Sequence, residues 1–150
     1  MNKKARIPNR AEVQRREALE EVRAVYRELE NRPVERACLR RTECCHFKLT
    51  GRTPQLTRGE AVAAARALRV SGRTTLPERG DGACPLLRAD GACLIYRDRP
   101  FGCRTHFCAA AGGPYARAEV LDLIRRLEAV DARLGGDGPR ALEAAVAREL

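Results

Sequence analysis

Residues 84–108 read CPLLRADGACLIYRDRPFGCRTHFC, and four of the chain's seven cysteines fall within them: Cys84, Cys93, Cys103 and Cys108. The other three, Cys38, Cys44 and Cys45, form a second knot upstream, in ACLRRTECCHFKLTGRTP at 37–54. Thiolates bind zinc and iron strongly and are poor ligands for magnesium or calcium. Two dense knots in one chain therefore point to a shared soft-metal centre. Disulfides are the weaker reading, because the count is odd and the expected compartment, with no signal-peptide pattern visible in residues 1–21, is a reducing one. A cysteine beside a cysteine also fits poorly with burial as a small apolar residue. Neighbouring side chains diverge on a helix or strand. Cys44 and Cys45 could thus serve two sites, or one site with the second thiol held near it.

Within 84–108 the segments CPLLR and ACLIY flank Ala-Asp-Gly. Asp90-Gly91 supplies turn chemistry, which predicts a short hairpin over Cys84–Tyr96 with a cysteine near each end. Arg99-Pro100-Phe101-Gly102 then breaks regular structure and delivers Cys103. The spacings contain no C-x2-C pair of zinc-finger type and no ferredoxin run. Seven cysteines exceed one tetrahedral site and fall one short of two, so His46 or His106 could be an eighth ligand or a hydrogen-bond donor to a thiolate. Arg99 and Arg104 flank the knot and are expected to offset thiolate charge. Tyr96 could hydrogen-bond a thiolate or pack.

Residues 37–108 resemble the YkgJ-type cysteine-cluster family, the CxxCxxCC zinc- or iron-chelating domain. Cys38, Cys44 and Cys45 match the first, third and fourth cysteines of that family's amino-terminal knot. Cys84-Pro85-Leu86-Leu87 matches its C-P-x-L segment, Cys93-Leu94-Ile95-Tyr96 its C-x-I-Y segment, and Arg99-Pro100-Phe101-Gly102-Cys103-Arg104 its R-P-x-x-C-R segment. Arg41 stands where the family has its second cysteine, and Cys108 is the candidate replacement. The resemblance implies metal chelation, with Cys38, Cys44, Cys45, Cys84, Cys93, Cys103 and Cys108 as ligands. The metal would be zinc or iron, the latter as single ions or an iron–sulfur cluster.

The flanks read as helical support. From Asn9 to Asn31, the residues Ala18, Val22, Val25, Tyr26 and Leu29 form one apolar stripe, with Asn9 as cap and Pro33 as stop. Thr57-Arg-Gly-Glu60 is a capping-box sequence opening a helix to Val70, whose buried stripe is Ala61, Ala64, Ala65 and Leu68. A helix over about 115–134 carries Val120, Leu123, Ile124, Leu127, Val130 and Leu134. Gly135-Gly136 ends it, and a last helix covers about 139–149. The fold expected is a mainly α, small, metal-stabilised single domain with one short β-hairpin and irregular Cys-rich loops. Its parts are a helix at 9–32, the cysteine region at 37–108 and helices at 115–150. Phe47, Tyr96, Phe101 and Phe107 lie in or beside the knots and are expected to supply a dry shell.

Formal charge is +9, with arginine supplying 26 of 29 basic residues. A basic chain favours polyanions, but arginines 15, 16, 23 and 27 alternate with glutamates, which dilutes any stripe. No run is apolar and long enough to cross a bilayer, and the expected location is cytoplasmic. Three function classes follow. The first is a metal-binding protein with a structural or redox role. The second is an iron–sulfur oxidoreductase or protein-modifying enzyme, although no catalytic residue is assigned: Cys108 with His106 lacks an orienting carboxylate or amide. The third is a metal-stabilised nucleic-acid-binding module.

Overall fold

A computed structural model describes residues 5–32, 42–106 and 111–150. It is mainly helical. Helix α1, Arg10–Asn31, opens on the expected cap. The Asn9 side chain accepts from the Glu12 amide at 2.9 Å while the Glu12 carboxylate accepts from the Asn9 amide at 2.8 Å. The box satisfies two of the amides that a helix start leaves without intrahelical partners. A turn of 3-10 helix, Thr42–Cys45, leads into a single-turn helix α2, Phe47–Thr50. Gly51 closes α2 in the left-handed region, φ 64°.

Helix α3, Arg58–Val70, is the centre of the molecule. Its expected stripe is buried, but Val62 and Ala63 are buried as well, so the helix is enclosed on more than one side. Short side chains make this possible, because neighbours can approach a poly-alanine surface closely from both flanks. One core unites Ala61, Ala64, Ala65 and Leu68 with Leu86, Leu87 and Ile95, and with Leu142 and Val146. The other places Ala63 among Val22, Val25 and Tyr26 of α1 and Leu123, Leu127 and Val130 further along the chain. Gly59 marks the tightest approach. A Cβ there would lie 2.6 Å from Val130 Cγ1 and 3.0 Å from Val22 Cγ2. Gly59→Ala should therefore destabilise the fold by about 1–2 kcal/mol, overpacking outweighing the helix propensity gained. Urea midpoints of the two proteins check this, and an unchanged or raised midpoint would show that the three segments separate freely.

The predicted turn at 90–91 forms, with Gly91 at φ 83° and Asp90 Oδ1 accepting from the Ala92 amide at 3.0 Å. Its arms meet in one antiparallel bridge, Leu87 with Cys93, flanked by Arg88 N–H to Ala92 O and Leu94 N–H to Leu86 O, both 2.8 Å. A 3-10 turn at Tyr96–Asp98 leads to helix α4, Phe101–Thr105. The break expected at 99–102 is thus confined to Arg99 and Pro100, and the helix begins at once after the proline, where a fixed φ suits a helix entry. A 3-10 turn, Arg117–Val120, precedes helix α5, Leu121–Arg133.

Strand β1, Gln55–Leu56, pairs antiparallel with β2, Arg140–Ala141, in the register Gln55 to Ala141 and Leu56 to Arg140. The pair sets the start of α3 beside the start of helix α6, Leu142–Glu149. Charged side chains bind the helices further. Buried Glu149 accepts from Arg15 and Arg58, each at 2.9 Å, and Arg126 of α5 donates to Glu21 of α1 at 2.8 Å and also to Glu28. The mixed charges of α1 thus include residues paired to other elements. Among the described residues no helix is long and apolar enough to cross a membrane.

Candidate metal centre

The upstream knot meets the downstream one through the backbone. The amide of Cys84 donates to the carbonyl of Cys45 at 2.6 Å. This places the 3-10 turn that carries Cys44 and Cys45 against the first arm of the Cys84–Cys93 turn. Cys44 is exposed and Cys45 half-buried, and the Cys44 thiol is the leading cause that pushes the Cys45 thiol up. Cys84 is buried in the first core, while Cys45 and Cys93 rest half-buried on its rim. Cys103 enters from α4, where its amide donates to Pro100 O at 3.0 Å.

Each of the five described cysteines interacts electrostatically with at least two of the others. Burial pushes the Cys84 thiol up to about 11, and the neighbouring Cys93 adds to it. Cys103 is pushed up by burial and then by Cys84, Cys93 and Cys44. Cys45 is pushed up first by the Cys44 thiol, then by burial, and further by Cys84 and Cys103. Cys93 is raised chiefly by burial. Crowded, half-dry thiols resist ionising because each thiolate would face others at low dielectric. Among the described residues, however, no group of three His, Cys, Asp or Glu side chains stands in an arrangement that could hold a metal ion. The five thiols share a neighbourhood and do not form a finished coordination shell. Cys38, Arg41, Phe107 and Cys108 lie outside the described residues.

Three features of the surroundings fit a thiolate-bound metal. The backbone amides of Leu86 and Leu87 act against burial to lower the Cys84 pKa, and that of Ile95 does the same for Cys93. Such N–H groups aimed at sulfur favour the thiolate over the thiol. Arg99 lowers the pKa of both Cys93 and Cys103, as charge compensation requires. Its Nε is buried with no hydrogen-bond partner among the described residues, and its guanidinium lies 4.3 Å over the Tyr96 ring. An unsatisfied buried donor beside a cluster of sulfurs suits a site that carries negative charge when loaded.

Arg104 does otherwise, contrary to the expectation that it would serve the thiolates together with Arg99. It is 5% exposed and turned away from the cysteines. Its Nε donates to Arg99 O at 2.8 Å, Nη1 to Glu30 at 2.5 Å, and Nη2 to Arg97 O, while the guanidinium lies 4.0 Å over the Tyr26 ring. The side chain clamps the loop before α4 to α1. The dry shell also differs from expectation. Phe47 packs on the first core with Cys45 and Cys93 as expected, but Phe101 packs in the second core and Tyr96 is 37% exposed, so aliphatic Leu86, Leu87 and Ile95 supply the rest of the lining.

His106 can be assigned a role from its partner. Arg52 Nη1 lies 3.2 Å from His106 Nδ1. A guanidinium only donates, so Nδ1 accepts and the neutral ring carries its proton on Nε2. Metal-ligating histidines show the reverse, with the outer nitrogen donating to a carboxylate or carbonyl. The arrangement makes His106 a donor through Nε2 and also opposes a general-base role, which needs an acceptor behind the ring. Burial, and then Arg52, lower its pKa.

The described centre is thus a neighbourhood of five thiols, from buried Cys84 to exposed Cys44, with the Arg99 guanidinium acting on two of them. Residues 36–122 match the model of the CxxCxxCC family, described as "Putative zinc- or iron-chelating domain", and the chain belongs to that family. No curated protein and no solved structure matches the chain.

Proposed function

We propose that this protein binds zinc or iron, as single ions or as an iron–sulfur cluster, and uses the metal in a structural or redox role. The ligands would be drawn from Cys38, Cys44, Cys45, Cys84, Cys93, Cys103 and Cys108. The observation that carries the reading is the meeting of the two knots at the Cys84 N–H to Cys45 O hydrogen bond. It makes one neighbourhood of thiols that lie far apart in sequence. The family's chelating character supports the reading independently. Arg99 would balance the negative charge of the loaded centre, and His106 would donate to it. The bound metal would supply either a rigid cross-link among four segments or a redox couple. Free thiols in such number suit the reducing cytoplasm, where we place the protein.

The deciding experiment is purification without oxygen followed by metal analysis and a visible spectrum. Zinc leaves the protein colourless, whereas an iron–sulfur cluster absorbs in the visible. Stoichiometric metal, and a thermal midpoint that falls when a strong chelator is added, are the expected results. A metal-free protein that melts identically with and without chelator would end the reading.

A further inference from the structure

Glu60 is 2% exposed, and both of its carboxylate oxygens are used. Oε2 accepts from the amide and the hydroxyl of Thr57, each at 2.9 Å, which completes the capping box of α3. Oε1 accepts from the Phe101 amide at 2.7 Å and the Tyr26 hydroxyl at 3.4 Å. A capping-box glutamate ordinarily closes its own helix at the surface. This one also binds the first amide of α4, the five-residue helix that carries Cys103. Tyr26 belongs to α1, which lies outside the residues that match the family. The ring of Tyr26 is in turn covered by Arg104, the residue directly after Cys103, and Arg104 is held by Glu30 of α1.

We propose that Glu60 is a positioning residue of the metal centre: it fixes the entry of the Cys103 helix against α3 and, through Tyr26, against α1. The proposal rests on the reading of the cysteines as a metal site. Its physical basis is that α4 is too short to hold its own geometry, since a helix of one turn gains too few internal bonds to repay nucleation. The position of the Cys103 sulfur is therefore set by what grips the ends of α4. Glu60 grips the start. Arg104 grips the preceding loop through the carbonyls of Arg97 and Arg99. Both grips close on Tyr26. Helix α1 is on this account a wall of the centre, and metal affinity depends on residues outside the matched segment.

The test is cobalt(II) binding, read from the thiolate charge-transfer and ligand-field bands, on wild type, Glu60→Gln and Glu60→Asp, with Leu127→Ala of α5 as control for lost stability alone. Glutamine cannot accept at both ends, so either the Thr57 pair or the Phe101 and Tyr26 pair is lost. Aspartate keeps the charge but is one methylene shorter and draws back from Phe101. Each Glu60 variant that remains folded by circular dichroism should lose roughly ten- to a hundredfold in cobalt affinity, the range seen when groups supporting metal ligands are removed. Its ligand-field bands should also shift. Leu127→Ala should melt earlier with unshifted bands and affinity within about twofold of wild type. Wild-type affinity and bands in a folded Glu60 variant would overturn the proposal, as would equal losses in Leu127→Ala. If the glutamine variant does not fold, the aspartate variant decides; if neither folds without metal, refolding with cobalt present supplies the same spectral comparison. No cobalt binding by wild type would instead overturn the metal reading itself.

Discussion

Cys103→Ser should lose metal and stability together, more severely than any other single substitution in the centre. Cys103 receives raising contributions from Cys84, Cys93 and Cys44, so it faces thiols of both knots. Serine preserves the shape but replaces a soft, ionisable sulfur by a hydroxyl that stays protonated and binds zinc or iron poorly. The cost appears in the loaded protein, because metal affinity is added to folding free energy only where the ligands exist in the folded state. For a metal present at about a thousand times its dissociation constant, the stabilisation lost is about 4 kcal/mol. Denaturation with and without added zinc measures it. Wild type should show a large metal-dependent shift in midpoint, and Cys103→Ser little or none. With chelator present the two proteins should differ by less than about 1.5 kcal/mol, the range of a volume-conserving swap. Cys93→Ser serves as the companion variant. Normal metal content in both would show that the ligands are misassigned.

Much of the frame was legible in the sequence because it is written in local signals. The caps at Asn9 and Thr57 and the turn at Asp90-Gly91 depend on residues within three positions of one another, and all formed. The stripe of α1 reads directly because its apolar residues are large and its other faces are charged. Helix α3 was half legible. Alanine is tolerated both inside and outside, so periodicity shows one buried face and is silent about the second. Gly59 looked like part of a capping box, and only the spatial neighbours Val22 and Val130 make it a close-approach position. The pairing of 55–56 with 140–141 joins segments too short to carry a strand pattern. In the centre, the cysteine-bearing segments and their convergence were both expected from the two knots, but the contact that joins them was not, since it is a backbone bond between Cys84 and Cys45. Arg99 and Arg104 are the same residue type on either side of Cys103. Only Arg99, in the loop before α4, acts on the sulfurs, while Arg104, within α4, bonds to Glu30 and the loop carbonyls. Glu60 was read as a cap alone, because nothing local announces that its second oxygen is claimed by Phe101 and Tyr26.

The second large effect is on pH, and it has opposite signs in the metal-free and metal-loaded proteins. In the metal-free protein the thiols of Cys45, Cys84, Cys93 and Cys103 are all raised by burial and by each other. A thiol whose folded pKa exceeds its unfolded value contributes stability that is fully present below the unfolded pKa. That stability is lost as pH rises through the folded one. For Cys84 the folded value is about 11. Against an unfolded thiol near 8.5–9, this amounts to roughly 3 kcal/mol surrendered between about pH 8.5 and 11. The other raised thiols add to it, so the metal-free protein should unfold in mild alkali. Metal reverses the dependence. It binds thiolate and must displace the proton from each ligand, so raised thiols make loading weak in acid and steeply stronger as pH rises. Each displaced proton changes affinity by about tenfold per pH unit while the thiols remain protonated. Three or four ligand thiols then predict roughly a thousand- to ten-thousandfold change per unit across pH 6 to 8. Zinc competition against a chelator of known affinity, with proton release followed by an indicator dye, measures both slope and stoichiometry. A slope near zero would mean that the crowded thiols give up no protons to the metal, and the cysteine ligand set would have to be abandoned. A slope near one would leave a single thiolate ligand. Loaded and metal-free stabilities that diverge as pH rises are the joint signature that a merely buried cysteine cluster cannot produce.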